Sequence, residues 1–167
     1  CVEIKRYTDI ELEVFIHGSM CTSYSGKCTI SNYTVERDAN RGGCVQSCRY
    51  QYEIQDALTG TVEYSNFLMN SKDLMAVSVI PDLIRSGIDS LKVEGRMKSH
   101  LYIANTIGTY RFAIDEIHKQ LEQGIKDPTL NYHQLEGKLK QVSNRTFSTG
   151  SLLNRAFSDS LRFDTGG

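Results

Sequence analysis

"IELEVFIHG" (residues 10–18) alternates polar with apolar residues and is rich in β-formers, which predicts a strand over residues 10–16 that ends at Gly18. What leaves that strand decides the rest. Residues 17–50, "HGSMCTSYSGKCTISNYTVERDANRGGCVQSCRY", form an irregular, glycine-punctuated loop holding four of the five cysteines. Beyond it, "RYQYEIQD" and "TVEYSNFLMN" predict two strands around a turn at Thr59 and Gly60. A short helix is expected over residues 71–76, and a second from Pro81, closed by Gly87. "DSLKVEG" (residues 89–95) is a short apolar run between turn signals, the profile of a buried strand.

The helix predicted over residues 99–122 has the strongest periodicity. Ile103, Ile107, Tyr110, Ile114, Ile117 and Leu121 line one face, Ser99 is the N-cap and Gly124 the stop. A weaker helix is expected over residues 132–142, and the closing "DTGG" is expected to be mobile. Strand, loop, hairpin, helix, strand and helix in this order suit an α/β fold with a thin sheet.

The chain of 167 residues carries a net charge of −1, so it lacks a global electrostatic footprint for nucleic acid or membrane; a local basic patch stays open. No apolar run reaches the roughly 20 residues of a membrane span. "CVEIKRYTDI" has neither a signal pattern nor an initiator Met, and reads as the interior of a longer cytoplasmic protein.

Cys21, Cys28, Cys44 and Cys48 are separated by six, fifteen and three residues. A disulfide framework suits the expected compartment badly, and the glycine-rich setting suits buried free thiols no better. Metal ligation remains. Structural zinc recruits two tight cysteine pairs, and only Cys44 and Cys48 make one. An iron–sulfur core tolerates irregular spacing, and Lys27, Arg37, Arg41 and Arg49 would offset its negative charge. Glycines 26, 42 and 43 would let backbone amides approach sulfur. The spacing leans to iron–sulfur and leaves zinc open.

"EVFIHGSMCTSYSGKCTISNY", "RDANRGGCVQSC", "NSKDL" and "SLKVEGRMKS" resemble the collagenase-like peptidase family, the peptidases of unknown catalytic type numbered thirty-two. "SNRTFSTG" (residues 143–150) resembles a further segment of it. The resemblance implies the later part of a TIM-like α/β barrel, with the cysteine loop and hairpin (residues 17–50 and 50–70) inserted. It places the barrel part in residues 1–125 and a partly helical extension in 126–167. By this resemblance, relatives carrying these cysteines include proteins that bind a four-iron–four-sulfur (4Fe–4S) cluster and support RNA or quinone hydroxylation. The most similar branch makes 5-hydroxyuridine at the tRNA wobble position with prephenate as hydroxyl source. tRNA and prephenate are therefore the implied partners, and truncated barrel edges imply self-association.

Glu94 and Arg96 follow the strand "SLKV", where barrel enzymes keep their chemistry. Arg96 suits a bidentate grip on carboxylate and Glu94 suits a polar substrate group; a structural Glu–Arg pair is the competing reading. His17, at the end of the first strand, either handles a proton or serves as a hydrogen-bonded neighbour of the cluster. Lys92, Arg96, Lys98 and Arg111, with Arg37, Arg41 and Arg49, form either a surface for RNA phosphates or a solvated face. Tyr24, Tyr33 and Tyr50 either stack on splayed bases or pack the loop. No H-E-x-x-H or G-x-S-x-G motif supports a zinc or serine peptidase. Proteolysis and a zinc-stabilised binding module are the rival functions.

Overall fold

The computed structural model describes residues 1–24, 27–96, 98–153 and 160–163. Gly26 and the "DTGG" terminus lie outside them. In chain order the elements begin with α1 (Val2–Tyr7), β1 (Glu13–Gly18), α2 (Ile30–Val35), β2 (Tyr52–Gln55), β3 (Val62–Asn66) and β4 (Asp73–Met75). They continue with α3 (Ile80–Arg85), β5 (Ser90–Val93), α4 (His100–Glu122), α5 (Tyr132–Leu139) and β6 (Phe147–Ser148). The chain divides into two compact units, Cys1–Gly18 with Asp73–Arg155 and Ser19–Lys72 with Ala156–Gly167.

The first unit is built on a mixed four-stranded sheet in the order β5–β1–β4–β6. β1 runs parallel to β5 from Glu13↔Ser90 to His17↔Val93, so both strands end on the same side. β1 begins later than its alternation predicts, because the ladder with β5 starts only at Glu13. The helix expected over residues 71–76 is instead β4. Its three residues sit between two strands, antiparallel to β1 and parallel to β6. Backbone bonds from Asp73 N–H to the Thr146 carbonyl and from Ala76 N–H to the Ile16 carbonyl (both 3.0 Å) hold it extended. Tertiary pairing overrides local preference here.

α4 starts and stops where expected. The Ser99 hydroxyl accepts the Tyr102 N–H at 3.2 Å, and Gly124 ends the helix region at φ +81°. Its inward side takes in most of the predicted stripe: Tyr110 and Ile117 are buried, and Ile114 and Leu121 pack against the core. Tyr102, Thr106, Thr109, Tyr110, Ala113 and Ile117 turn inward, while Ile107 stays 48% exposed. Tyr110 and Ile117 join Ile16, Met75, Val77, Ile80 and Leu139 in the core. Two hydroxyl-bearing positions, 102 and 106, thus take a place that apolar periodicity assigns to 103 and 107. α5 is capped by Asn131 and ends at Leu139, earlier than expected. α1 has no buried residue, which explains why no apolar pattern announced it.

In the second unit β2 and β3 form the expected hairpin, with Asp56 N–H donating to the Thr61 carbonyl and Gly60 N–H to the Asp56 carbonyl (both 2.9 Å). The cysteine segment is more regular than its sequence suggests. It contains α2 and two 3₁₀ turns, Ala39–Arg41 and Ser47–Arg49. No helix of the described residues is long and apolar enough to cross a membrane.

Candidate functional site

Short polar bonds shape the cysteine segment. The buried Ser31 hydroxyl accepts the Val45 N–H (3.2 Å), Thr34 and Ser47 hydroxyls bond each other (2.9 Å), and Tyr52 donates to the Ser47 carbonyl (2.8 Å). The result is a cavity of about 280 Å³ whose wall includes Cys21, Cys28, Cys44 and Cys48. All four are free thiols. Among the described residues no three potential ligands stand close enough to share a single metal ion. The thiols are spread around the cavity instead.

Two sulfurs accept backbone hydrogen bonds: Cys21 Sγ from Ser23 N–H and Cys44 Sγ from Gln46 N–H, both at 3.4 Å. The glycine amides expected in that role go elsewhere. Gly42 N–H donates to the Ala39 carbonyl and Gly43 N–H to the Asp38 carbonyl, because they close a 3₁₀ turn. Gly43 is required for that closure, since a Cβ there would lie 2.7 Å from the Asp38 oxygen.

Burial raises the Cys48 thiol pKa; Arg49 beside it acts the other way, and Cys21, Cys44 and Cys28 add to the rise. Arg49 is the most telling neighbour. It is buried, and its Nε and Nη1 have no hydrogen-bond partner among the described residues. A buried cation without an acceptor is costly. An anionic group held at Cys48, on which Arg49 acts electrostatically, would offset that charge. The donor set therefore fits a thiolate-bound cluster: four sulfurs around one cavity, amides directed at two of them, and a buried arginine next to Cys48 with two guanidinium nitrogens unpartnered among the described residues.

The first unit presents a second polar cluster, at the C-terminal ends of the parallel pair β1 and β5. His17 is fully buried, and its Nδ1 lies 3.3 Å from the Tyr110 hydroxyl. That hydroxyl donates to the Ile16 carbonyl and accepts the Ala76 N–H, both at 3.0 Å. Gly18, at φ +119°, brings the chain against Glu94, where a Cβ would stand 2.7 Å from the Glu94 Cβ. The sequence thus placed His17 and Glu94 correctly at strand ends, and the structure brings them together. It does not join Glu94 to Arg96. Among the described residues no ion pair links them, and Arg96 is exposed. Tyr102 was missed because its hydroxyl-bearing face competes with a stronger isoleucine signal.

Burial, with a smaller contribution from Lys98, lowers the His17 pKa from 6.5 to about 4. His17 is therefore neutral at pH 7 in the folded chain. Below pH 6.5 the unfolded chain binds a proton that the folded chain refuses, so stability falls with pH down to about pH 4. The loss amounts to about 3 kcal/mol. Urea denaturation at pH 4 and pH 7 should show this difference, and His17→Leu should remove most of it. An unchanged pH dependence in the variant would contradict the assignment.

The basic residues divide by unit. Lys92 pairs with Glu13 (2.8 Å), Arg111 with Asp115 (2.6 Å), and Lys98 lies 5.0 Å over the Tyr102 ring. In the second unit Tyr24, Tyr33 and Tyr50 are exposed, Tyr33 to 91%. They do not pack the loop.

A sequence model of peptidase family U32 matches residues 1–162. The chain is 50% identical over 120 residues to tRNA hydroxylation protein P1 of Bacillus subtilis (strain 168), covering 68% of the chain and 28% of that protein. It is 40% identical over 114 residues to the 23S rRNA 5-hydroxycytidine C2501 synthase of Escherichia coli (strain K12), covering 68% and 18%. A collagenase of Porphyromonas gingivalis is 32% identical over 106 residues, covering 64% and 29%. The chain thus spans less than a third of the length of these three relatives. No solved structure matches it.

Proposed function

We propose that this chain, which belongs to peptidase family U32, takes part in the C5-hydroxylation of pyrimidines in RNA, with tRNA wobble uridine as the substrate. One observation carries the reading: four free cysteines line one cavity, and Arg49, next to Cys48, is buried with its Nε and Nη1 unpartnered among the described residues. Two of the relatives that share this sequence are named for hydroxylating tRNA or making hydroxycytidine in rRNA. A collagenase also shares this sequence, at 32% identity, and proteolysis is the second reading; against it, no serine or cysteine side chain bonds a histidine among the described residues.

In this reading Cys21, Cys28, Cys44 and Cys48 hold a four-iron–four-sulfur cluster, with zinc the alternative occupant. The bound cluster supplies electron transfer or an iron that acts as a Lewis acid. Arg49 offsets its charge, and the Ser23 and Gln46 amides lower the electron density on two sulfurs. Exposed Tyr24, Tyr33 and Tyr50 offer ring faces for stacking on unpaired bases. Exposed Arg96 takes a carboxylate of prephenate as the hydroxyl source. The reading further places the sheet in a TIM-like barrel that acts in the cytoplasm, with its strand edges available for self-association.

The test compares the nucleosides of total RNA from cells with and without the gene. Loss of one C5-hydroxylated pyrimidine is expected, restored by the wild-type gene and not by Cys28→Ser. Identical nucleosides in both strains would overturn the reading. Arg96→Lys keeps the charge and loses the two-pronged grip. It should lower product about tenfold or more with the melting temperature unchanged; full activity would leave Arg96 outside the site.

A further inference from the structure

Four buried side-chain atoms in the first unit have no hydrogen-bond partner among the described residues: His17 Nε2, Glu94 Oε2, Tyr102 Oη and Thr106 Oγ1. Native interiors leave few such atoms, and these are neighbours. The His17 and Tyr102 rings lie 5.9 Å apart, and Thr106 follows Tyr102 by one helical turn. Besides burial, two carboxylates act on the Tyr102 phenol, Asp73 (which pairs with Arg145) first and Glu94 second. A Cβ built on Gly18, next to His17, would stand 3.3 Å from Glu94 Oε2. The contrast within α4 is direct. Thr109 satisfies its hydroxyl on the Asn105 carbonyl (2.7 Å), while Thr106, equally inward, does not.

The polarity of each atom can be assigned. The single proton of the Tyr110 hydroxyl goes to the Ile16 carbonyl, and its oxygen accepts from Ala76 N–H. With the Tyr110 proton assigned to Ile16, His17 Nδ1 is the donor to that oxygen, the tautomer that leaves Nε2 with a bare lone pair. His17 Nε2 and Glu94 Oε2 are therefore acceptors, and the Tyr102 and Thr106 hydroxyls are available as donors. A carboxylate or phosphate has no hydrogen for the first two and would face Glu94. A cation would meet Lys98, which sits over the Tyr102 ring. The set calls for an uncharged group with an N–H next to a carbonyl.

We propose that His17, Glu94, Tyr102 and Thr106 form a subsite, separate from the cysteine cavity, that holds the N–H and C=O edge of a pyrimidine base. The choice of a base over another amide rests on the RNA reading above. In this subsite Glu94 or His17 accepts the ring N–H, and the Tyr102 and Thr106 hydroxyls donate to the flanking carbonyl. Recognition of an unstacked base by its edge, between ring side chains, follows the physics of base extrusion. Leaving four polar atoms unpaired without ligand costs stability, and a binding site is where such a cost is retained.

The test uses the full chain with uridine and 3-methyluridine, which keeps the ribose and blocks the ring N–H. Imidazole NMR should show His17 protonated at Nδ1 and not at Nε2, with signals that move on adding uridine and not 3-methyluridine. Tyr102→Phe and Thr106→Val should each weaken uridine binding about tenfold. Their melting temperatures should stay level or rise, since each removes a hydroxyl that has no partner. Equal binding of the two nucleosides, or none, overturns the base-edge subsite. So does a fall in melting temperature beyond about 4 °C, which would show hydroxyls already bonded for structural reasons. Failure of the RNA reading appears separately, as unchanged nucleosides in the deletion strain.

Discussion

Cys28→Ser and Cys48→Ser are each expected to lose the iron of the reconstituted protein almost entirely, together with its absorbance at roughly 400 nm. Serine keeps the shape of the side chain but its hydroxyl does not ionise near neutral pH, so a thiolate ligand disappears without a packing change. Both residues are half-buried in the cavity wall, where water is a poor substitute ligand. Arg49→Gln separates charge from ligation. It should leave iron bound and make the cluster harder to reduce, because a buried positive charge that favours the extra electron is gone. Full iron retention in both serine variants would remove the cluster from these cysteines. Loss of zinc in place of iron would assign the other metal.

Arg145→Met should be the most destabilising single change in the first unit. Asp73 exposes 1% of its side chain and Arg145 12%, so the pair is removed from water. Arg145 Nε donates to Asp73 Oδ1 at 2.9 Å, its Nη2 bonds the same oxygen, and its backbone N–H reaches Oδ2 at 3.3 Å. Asp73 opens β4 and pairs with Phe147 of β6, so the ion pair also fixes the parallel register at that edge. Removing the guanidinium takes away this ion pair from a buried carboxylate, at about 3–5 kcal/mol. In a chain of this size the melting temperature should fall by about 10 °C or more. Asp73→Leu combined with Arg145→Met should recover much of it, because neither charge of this pair is then buried. A single variant that melts within about 2 °C of wild type would show that the register is held by other bonds.

Residues with local signals behave as the sequence reads. β1, the hairpin of β2 and β3, β5 and the ends of α4 follow from alternation, turn residues, the Ser99 cap and Gly124. These signals act between residues a few positions apart. The family is equally legible, since its motifs are short and contiguous. So is the grouping of the four cysteines around one cavity, because a loop of this length leaves them little room to separate.

The rest was settled at long range. β4 and β6 are three and two residues long, too short to alternate, and exist because β1, β4 and β6 satisfy one another's backbone groups. The inward face of α4 was legible over its later turns, where Tyr110, Ile114, Ile117 and Leu121 reach the core, and not at its start, where Tyr102 and Thr106 are buried and Ile107 is exposed. Packing against β1 and the residues after β4 decided this, with the Tyr110 hydroxyl tying α4 to Ile16 and Ala76. The burial of Arg49, the Asp73–Arg145 pair and the lone pair on His17 Nε2 likewise depend on partners far along the chain or on the lack of one. The sequence alone determined where the cysteines group and where β1 and β5 end; tertiary packing decided which polar atoms are buried unsatisfied, since desolvation depends on every neighbour in space and not on spacing along the chain.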